Sequence, residues 1–93
     1  MKFYYTYVLL SLRDKKFYIG FTTDLVQRVR DHQRGNNVST AKRLPCILIF
    51  YEAFLSKKDA LRRERYFKTN KGKTTLRQML REYLAELKLY ARS

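Results

Sequence analysis

The sequence predicts a small α+β fold: a three-stranded antiparallel sheet flanked by helices, in the order β-β-α-β-α-α. Three observations carry that prediction. Two stretches dense in Tyr, Phe, Val, Leu and Ile lie near the N-terminus with only Arg13-Asp14-Lys15 between them, the pattern of a β-hairpin. A third β-forming stretch, Ile47-Leu48-Ile49-Phe50-Tyr51, stands alone beyond a polar segment. Around it, apolar residues recur at three- and four-residue intervals, the period of amphipathic helices. One sheet covered by helices is the simplest way to bury these faces.

The hairpin joins strands at 4–11 and 16–21. If Leu12 opposes Phe17, side-chain alternation puts Tyr5, Tyr7 and Leu9 on one face with Tyr18 and Gly20. Thr23 is placed to cap a helix over 24–33, with Leu25 and Val29 four apart and Gly35 as its stop. Residues 36–45, which include the only proline, read as a loop. The near-continuous apolarity of 47–51 predicts a central or well-covered strand. Ser56-Lys57-Lys58-Asp59 has the capping-box pattern ahead of a helix to about Thr69, which Lys71-Gly72-Lys73 is expected to break. Leu76, Met79, Leu80, Tyr83, Leu84, Leu87 and Tyr90 then predict one amphipathic helix over 75–90, capped near Thr74 or Thr75. Core cover is its expected role, with dimerisation the lesser alternative.

Composition bounds the function. A chain of 93 residues has room for one core, so 1–93 reads as a single domain that buries only ~60–65% of its unfolded surface. Apolar residues at 45% exclude a disordered tail, and the single cysteine, Cys46, excludes an internal disulfide and zinc-finger patterns. A reducing, cytoplasmic setting follows. No apolar run approaches the ~20 residues of a membrane span. The 21 Lys+Arg against 8 Asp+Glu give +13, a field that points to a polyanion, nucleic acid first. Eight of those cations fall between Lys57 and Lys73, with only Asp59 and Glu64 as acids, so one surface is expected to be markedly basic.

Glu64 is the most informative residue. With Ala60 at zero on a helical wheel, Phe67 falls near about −20°, Glu64 near about +40° and Leu61 near about +100°, so the carboxylate stands inside the apolar stripe. A buried, unpaired carboxylate is costly, and Glu64 needs either an Arg/Lys partner or a metal. Arg28 and His32 lie i, i+4 on the first helix at the edge of its apolar stripe, where a guanidinium fork suits phosphate and an imidazole suits proton transfer near neutrality. Gly20 interrupts a strand, a mark of close approach by backbone or ligand. Phenol hydroxyls beside a glycine gap, with a guanidinium, an imidazole and one carboxylate, suit phosphodiester hydrolysis. The carboxylate would hold a divalent ion that activates water or stabilises the leaving oxygen.

These residues also resemble the GIY-YIG endonuclease domain. Tyr5-Thr6-Tyr7 stands where the GIY triplet would be, and Tyr18-Ile19-Gly20 is the YIG triplet intact. Arg28 fits the family's catalytic arginine, His32 its frequent histidine and Glu64 its metal-binding glutamate. The chain is most similar to short stand-alone bacterial members, with Arg43-Leu44-Pro45 and Tyr51-Glu52 continuing the likeness. The resemblance implies a Mg²⁺- or Mn²⁺-dependent endonuclease acting on DNA, branched or nicked duplex above all, in repair or recombination and without a small-molecule cofactor. It implies that Tyr7 accepts a proton from the attacking water, Tyr18 orients that water or the phosphate, Arg28 stabilises the pentacovalent charge, and His32 assists Tyr7 or contacts the phosphate. Glu64 would ligate the metal. Gly20, Arg30, Lys42 and Arg43, with Lys68, Lys71 and Lys73, are the expected nucleic-acid contacts. Many members carry an asparagine after the metal glutamate; here the last is Asn70. That departure motivates an alternative, a non-catalytic nucleic-acid-binding module on the same fold.

Overall fold

The computed structural model describes residues 1–92, the side chains of 89–92 excepted. Strands β1 (Tyr4–Ser11), β2 (Phe17–Thr22) and β3 (Cys46–Phe54) form an antiparallel sheet in the order β2-β1-β3. Helix α1 (Leu25–Gln33) follows the hairpin, and α2 (Lys57–Lys68), α3 (Asn70–Met79) and α4 (Arg81–Arg92) follow β3. The expected α+β architecture is present with one helix more, in the order β-β-α-β-α-α-α.

The central strand is β1, not β3. Residues Thr6 to Ser11 are all buried, because β1 is hydrogen-bonded on both edges and covered on both faces. On one face Tyr7, Leu9 and Cys46 pack with Tyr18, Leu25, Leu44 and Leu48. On the other, Val8, Phe67 and Leu76 pack with residues that include Phe17, Ile19, Ile49, Phe50 and Leu80. The apolar run in β3 has a local cause. Val8 pairs with Phe50 and Leu9 with Leu48, which leaves Ile49 as an extra residue at a bulge. A bulge breaks the alternation of side chains, and Ile49 and Phe50 both reach the α2/α3 side. An unbroken apolar stretch therefore marks an edge strand here, with Tyr51 half exposed.

The hairpin register is Leu10 opposite Phe17 rather than Leu12. A shift of two residues keeps every side chain on its expected face, so Tyr7 and Tyr18 do share one. The turn is longer than expected because Ser11 organises it. Its buried hydroxyl donates to the Arg43 carbonyl at 2.6 Å and accepts from the Arg13 and Asp14 amides.

Asp24, not Thr23, caps α1, its carboxylate accepting from the Gln27 amide at 3.1 Å. Gly35 closes that helix at φ +77, a conformation glycine adopts without steric cost. The largest correction concerns Lys71-Gly72-Lys73, which lies inside α3. The break comes at Thr69, which ends α2 and caps α3 by accepting from the Gly72 amide at 3.0 Å. Gly72 is buried against α2, where a Cβ would land on the Tyr66 carbonyl. The expected helix over 75–90 is divided at Leu80. Of its apolar set, Leu76 is fully buried and Leu80 packs on the core, while Met79 and Tyr83 are exposed; the Tyr90 side chain lies outside the described residues. No described helix is long and apolar enough to cross a membrane.

Candidate active site

Tyr7 and Gly20 are direct cross-strand partners in the β1–β2 ladder. A Cβ on Gly20 would collide with the Tyr7 hydroxyl and ring, so the glycine is the gap over which the phenol lies. The sequence suggests close approach by a backbone or a ligand at Gly20; what approaches instead is the Tyr7 side chain. The phenol opens into a cavity of about 1590 Å³ along the β2 edge. Arg28 and His32 of α1 line its one side, and Glu64 and Lys68 of α2 its other. Five expected site residues, Tyr7, Tyr18, Arg28, His32 and Glu64, thus meet in one cavity from four elements.

Tyr7 is 3% exposed, and its hydroxyl lies 3.0 Å from His32 Nε2. Burial pushes the Tyr7 phenol above its ordinary value of 10.0, partly offset by the Arg28 guanidinium beside it. Burial lowers His32 below 6.5, reinforced by Arg28 and opposed by Asp31. The pair is therefore a neutral phenol on a neutral imidazole at pH 7. Arg28 is held by its own donation to the Phe21 carbonyl at 3.2 Å.

Tyr18 lines the same cavity, but its hydroxyl donates to Asp14 Oδ2 at 2.6 Å and accepts from Arg43 Nε at 3.1 Å. The hydrogen bond to Asp14 raises Tyr18 and lowers Asp14. The partner of Glu64 is an amine: Lys68 Nζ donates to Oε2 at 3.0 Å. The Glu64 side chain is 17% exposed and that of Lys68 56%. A helical i, i+4 pair open to solvent is worth about 0.3–0.5 kcal/mol, a weak hold that a stronger cation can displace. Among the described residues no three His, Cys, Asp or Glu side chains cluster as a metal site. One carboxylate still fits Mg²⁺, which keeps most of its waters and binds through one or two carboxylates plus substrate phosphate.

The expected nucleic-acid contacts divide. Gly20, Lys68 and Lys73 line the cavity, whereas Arg30, Lys42, Arg43 and Lys71 do not. Arg30 is two residues from Arg28, on the far side of α1; Arg43 is spent on Tyr18 and Asp14. The cations of 57–73 are spread around α2 and the first turn of α3: Arg62 pairs with Asp59 and Arg63 with Glu52. Lys15 and Lys16 from the hairpin turn, Arg77 from α3, Lys88 from α4, and Asn37 and Ser39 from the loop complete the polar lining. Of these, only Arg77 had a sequence signal, one turn beyond Lys73. Asn70 opens α3, exposed and outside the cavity. Thr6, where the family triplet has isoleucine, is fully buried and donates to the Ala60 carbonyl at 2.6 Å, tying the strand of Tyr7 to the helix of Glu64.

The GIY-YIG catalytic domain matches residues 3–78 of this chain. A UPF0213 protein of Lacticaseibacillus paracasei is 48% identical over 68 residues, spanning 72% of this chain and 75% of its own. A UPF0213 protein of Streptococcus pneumoniae is 40% identical over 83 residues, spanning 88% and 78%. The solution NMR structure of a UPF0213 protein from Bacillus halodurans is similar at a TM-score of 0.53 and 32% identity, covering 83% of this chain and 84% of that one. The match begins just before β1 and ends in α3, so it takes in every element that supplies Tyr7, Tyr18, Arg28, His32 and Glu64: the chain belongs to the GIY-YIG family of nucleases, beside the short UPF0213 proteins.

Proposed function

We propose that the chain is a divalent-metal-dependent endonuclease that hydrolyses phosphodiester bonds in DNA. The observation that carries this reading is the 3.0 Å contact of Tyr7 with His32, set in one cavity with Arg28 and Glu64. Glu64 would hold Mg²⁺ or Mn²⁺, which when bound supplies positive charge opposite the phosphate oxygens. A phenol whose ionisation is pushed upward by burial is a poor base alone. With His32 Nε2 as acceptor, Tyr7 takes the proton of the attacking water while its own passes to the imidazole, and no free phenolate is required. Arg28 faces the negative charge that builds on the phosphoryl oxygens as the water oxygen bonds to phosphorus and the bond to the leaving oxygen breaks. Tyr18, fixed through Asp14 and Arg43, supplies an oriented hydroxyl at the cavity wall. The surrounding cations grip backbone, which carries no sequence information by itself, and so favour DNA shape, such as flaps, forks and junctions, over base sequence.

The test is nicking of supercoiled plasmid and of a duplex, flap, fork and junction panel with Mg²⁺. Wild type is expected to cut, and EDTA or Glu64→Ala to abolish it; cutting by Glu64→Ala at the wild-type rate would falsify the reading. A second reading, a non-catalytic binding module, is favoured by the ion pair that occupies Glu64 and by the position of Asn70 outside the cavity. It predicts salt-sensitive DNA binding that neither EDTA nor Glu64→Ala weakens, with no turnover.

A further inference from the structure

We propose that Thr40 is a positioning residue that sets the tautomer of His32, keeping Nε2 unprotonated to receive the Tyr7 proton. Its purpose rests on the nuclease reading; its content rests on geometry. Both ring nitrogens of His32 are engaged: Nε2 lies 3.0 Å from the Tyr7 hydroxyl and Nδ1 2.5 Å from Thr40 Oγ1. His32 is 3% exposed and Thr40 0%, so bulk water does not compete for the Nδ1 contact. A neutral imidazole has one N–H and one lone pair, so one contact is donated and the other accepted.

The Tyr7 side decides which. The phenol has a proton to place, and Arg28 beside it has only donors. Glu64 accepts from Lys68 and not from Tyr7 among the described hydrogen bonds. Among the described hydrogen bonds, Nε2 is the one acceptor within reach of the Tyr7 hydroxyl. The imidazole proton then sits on Nδ1 and is donated to Thr40 Oγ1, since the partner of one ring nitrogen fixes the state of the other. A hydroxyl suits this position better than a carboxylate. A carboxylate would bias His32 toward the imidazolium before the Tyr7 proton arrives, whereas the uncharged Thr40 hydroxyl adds no such bias. The same Nδ1–H bond to Thr40 then persists in the imidazolium.

The loop is built to present Thr40. The Asn37 carbonyl accepts from the Thr40 and Ala41 amides at 3.2 and 2.9 Å, and the Thr40 carbonyl accepts from the Arg43 amide at 2.8 Å. The Asn37 side chain accepts in turn from the Ser39 amide and hydroxyl at 3.1 and 2.7 Å. The charged groups nearest the pair are Arg28 and Asp31 on α1, with Glu64 and Lys68 on α2 facing Tyr7. None of them contacts Nδ1 by a hydrogen bond.

The chain has one histidine, so a long-range ¹H–¹⁵N correlation spectrum of the labelled protein, free of DNA and metal, shows one imidazole. Wild type is expected to be Nδ1-protonated by about tenfold over the other tautomer. Thr40→Ser should keep that ratio. Thr40→Val, which keeps the shape and removes the oxygen, should lower it at least about fivefold while the amide spectrum stays folded. In the nicking assay Thr40→Val should lower kcat about tenfold with KM unchanged, and Thr40→Ser should restore it. An Nε2-protonated wild type overturns the proposal even if Thr40→Val does not fold, as does a tautomer ratio that Thr40→Val leaves unchanged. Full activity in Thr40→Val overturns its catalytic purpose. A wild type that never cuts overturns the nuclease reading, and the spectrum still decides the tautomer.

Discussion

Gly20 shows how one absent side chain makes a site. In a strand interior glycine is ordinarily worse than alanine by about 0.5–1 kcal/mol, so Gly20→Ala would stabilise a strand with open space above it. Here the added Cβ meets the Tyr7 ring, and the expected sign reverses: a loss of about 1–3 kcal/mol in urea unfolding, with nicking reduced at least about tenfold. A variant as stable as wild type would mean that Tyr7 does not need the gap. The buried pair also leaves a signature in pH. Burial holds His32 below 6.5 in the folded chain, so on acidification the unfolded chain binds its proton first. Stability present above about pH 6.5 is therefore lost as pH falls through the folded value and then levels off. Asp14, also lowered, acts only below its ordinary 3.8. At the alkaline end Tyr7 and Tyr18 are raised, so stability falls above about pH 10 as the unfolded chain ionises first. Urea midpoints between about pH 7.5 and about pH 5 should decline for wild type and stay flat for His32→Gln. A wild-type midpoint flat over that window would show that His32 is not buried neutral.

Elements were legible wherever a pattern had one physical cause. Alternation in the hairpin survived an error of two residues in register because the side-chain period is two, and so Tyr7, Tyr18 and Gly20 were placed on one face from sequence. The wheel position of Glu64 followed from Ala60 and Phe67, both of which are buried. Illegible features had two causes with one appearance. The apolar run in β3 suggests a central or well-covered strand and arises at an edge from the bulge at Ile49. Gly72 looked like a helix stop, yet it is an interior residue chosen for contact with another helix. The α3–α4 junction at Leu80 was hidden because apolar spacing runs on from Leu76 to Leu87 without a change of period. Thr40 gave no signal, since a threonine in a polar loop has no period to break. The reading of Gly72 is testable. An alanine in a free helix would help by about 1 kcal/mol, whereas its Cβ here would strike the Tyr66 carbonyl backbone. Gly72→Ala is expected to lose about 2–3 kcal/mol in denaturant unfolding and to loosen α3 against α2. Stabilisation instead would mean that the α2–α3 corner has room to spare.

At the scale of the molecule, the charge of +13 separates into cations that face the cavity and cations that do not. Lys15, Lys16, Arg28, Lys68, Lys73, Arg77 and Lys88 line it, against Glu64 as the acid among its lining residues. The body measures 42 × 29 × 23 Å, several times the ~8 Å over which charges are felt at physiological ionic strength. Cations on the far side are therefore largely screened from a phosphate in the cavity, and the net charge overstates the field that a strand of DNA meets there. Each duplex phosphate neutralised adds about 0.9 to the slope of log K against log salt. Lys73→Ala and Arg77→Ala should each flatten that slope by about 0.7–0.9, whereas Arg30→Ala and Lys71→Ala should leave it unchanged. Fluorescence anisotropy on a labelled DNA between about 50 and about 200 mM salt separates the two classes. Equal losses from both would show that DNA responds to the charge of the whole body. Losses confined to Lys73 and Arg77 would place the nucleic acid against α3, in the same cavity as Tyr7 and Glu64, the one carboxylate among its described lining residues.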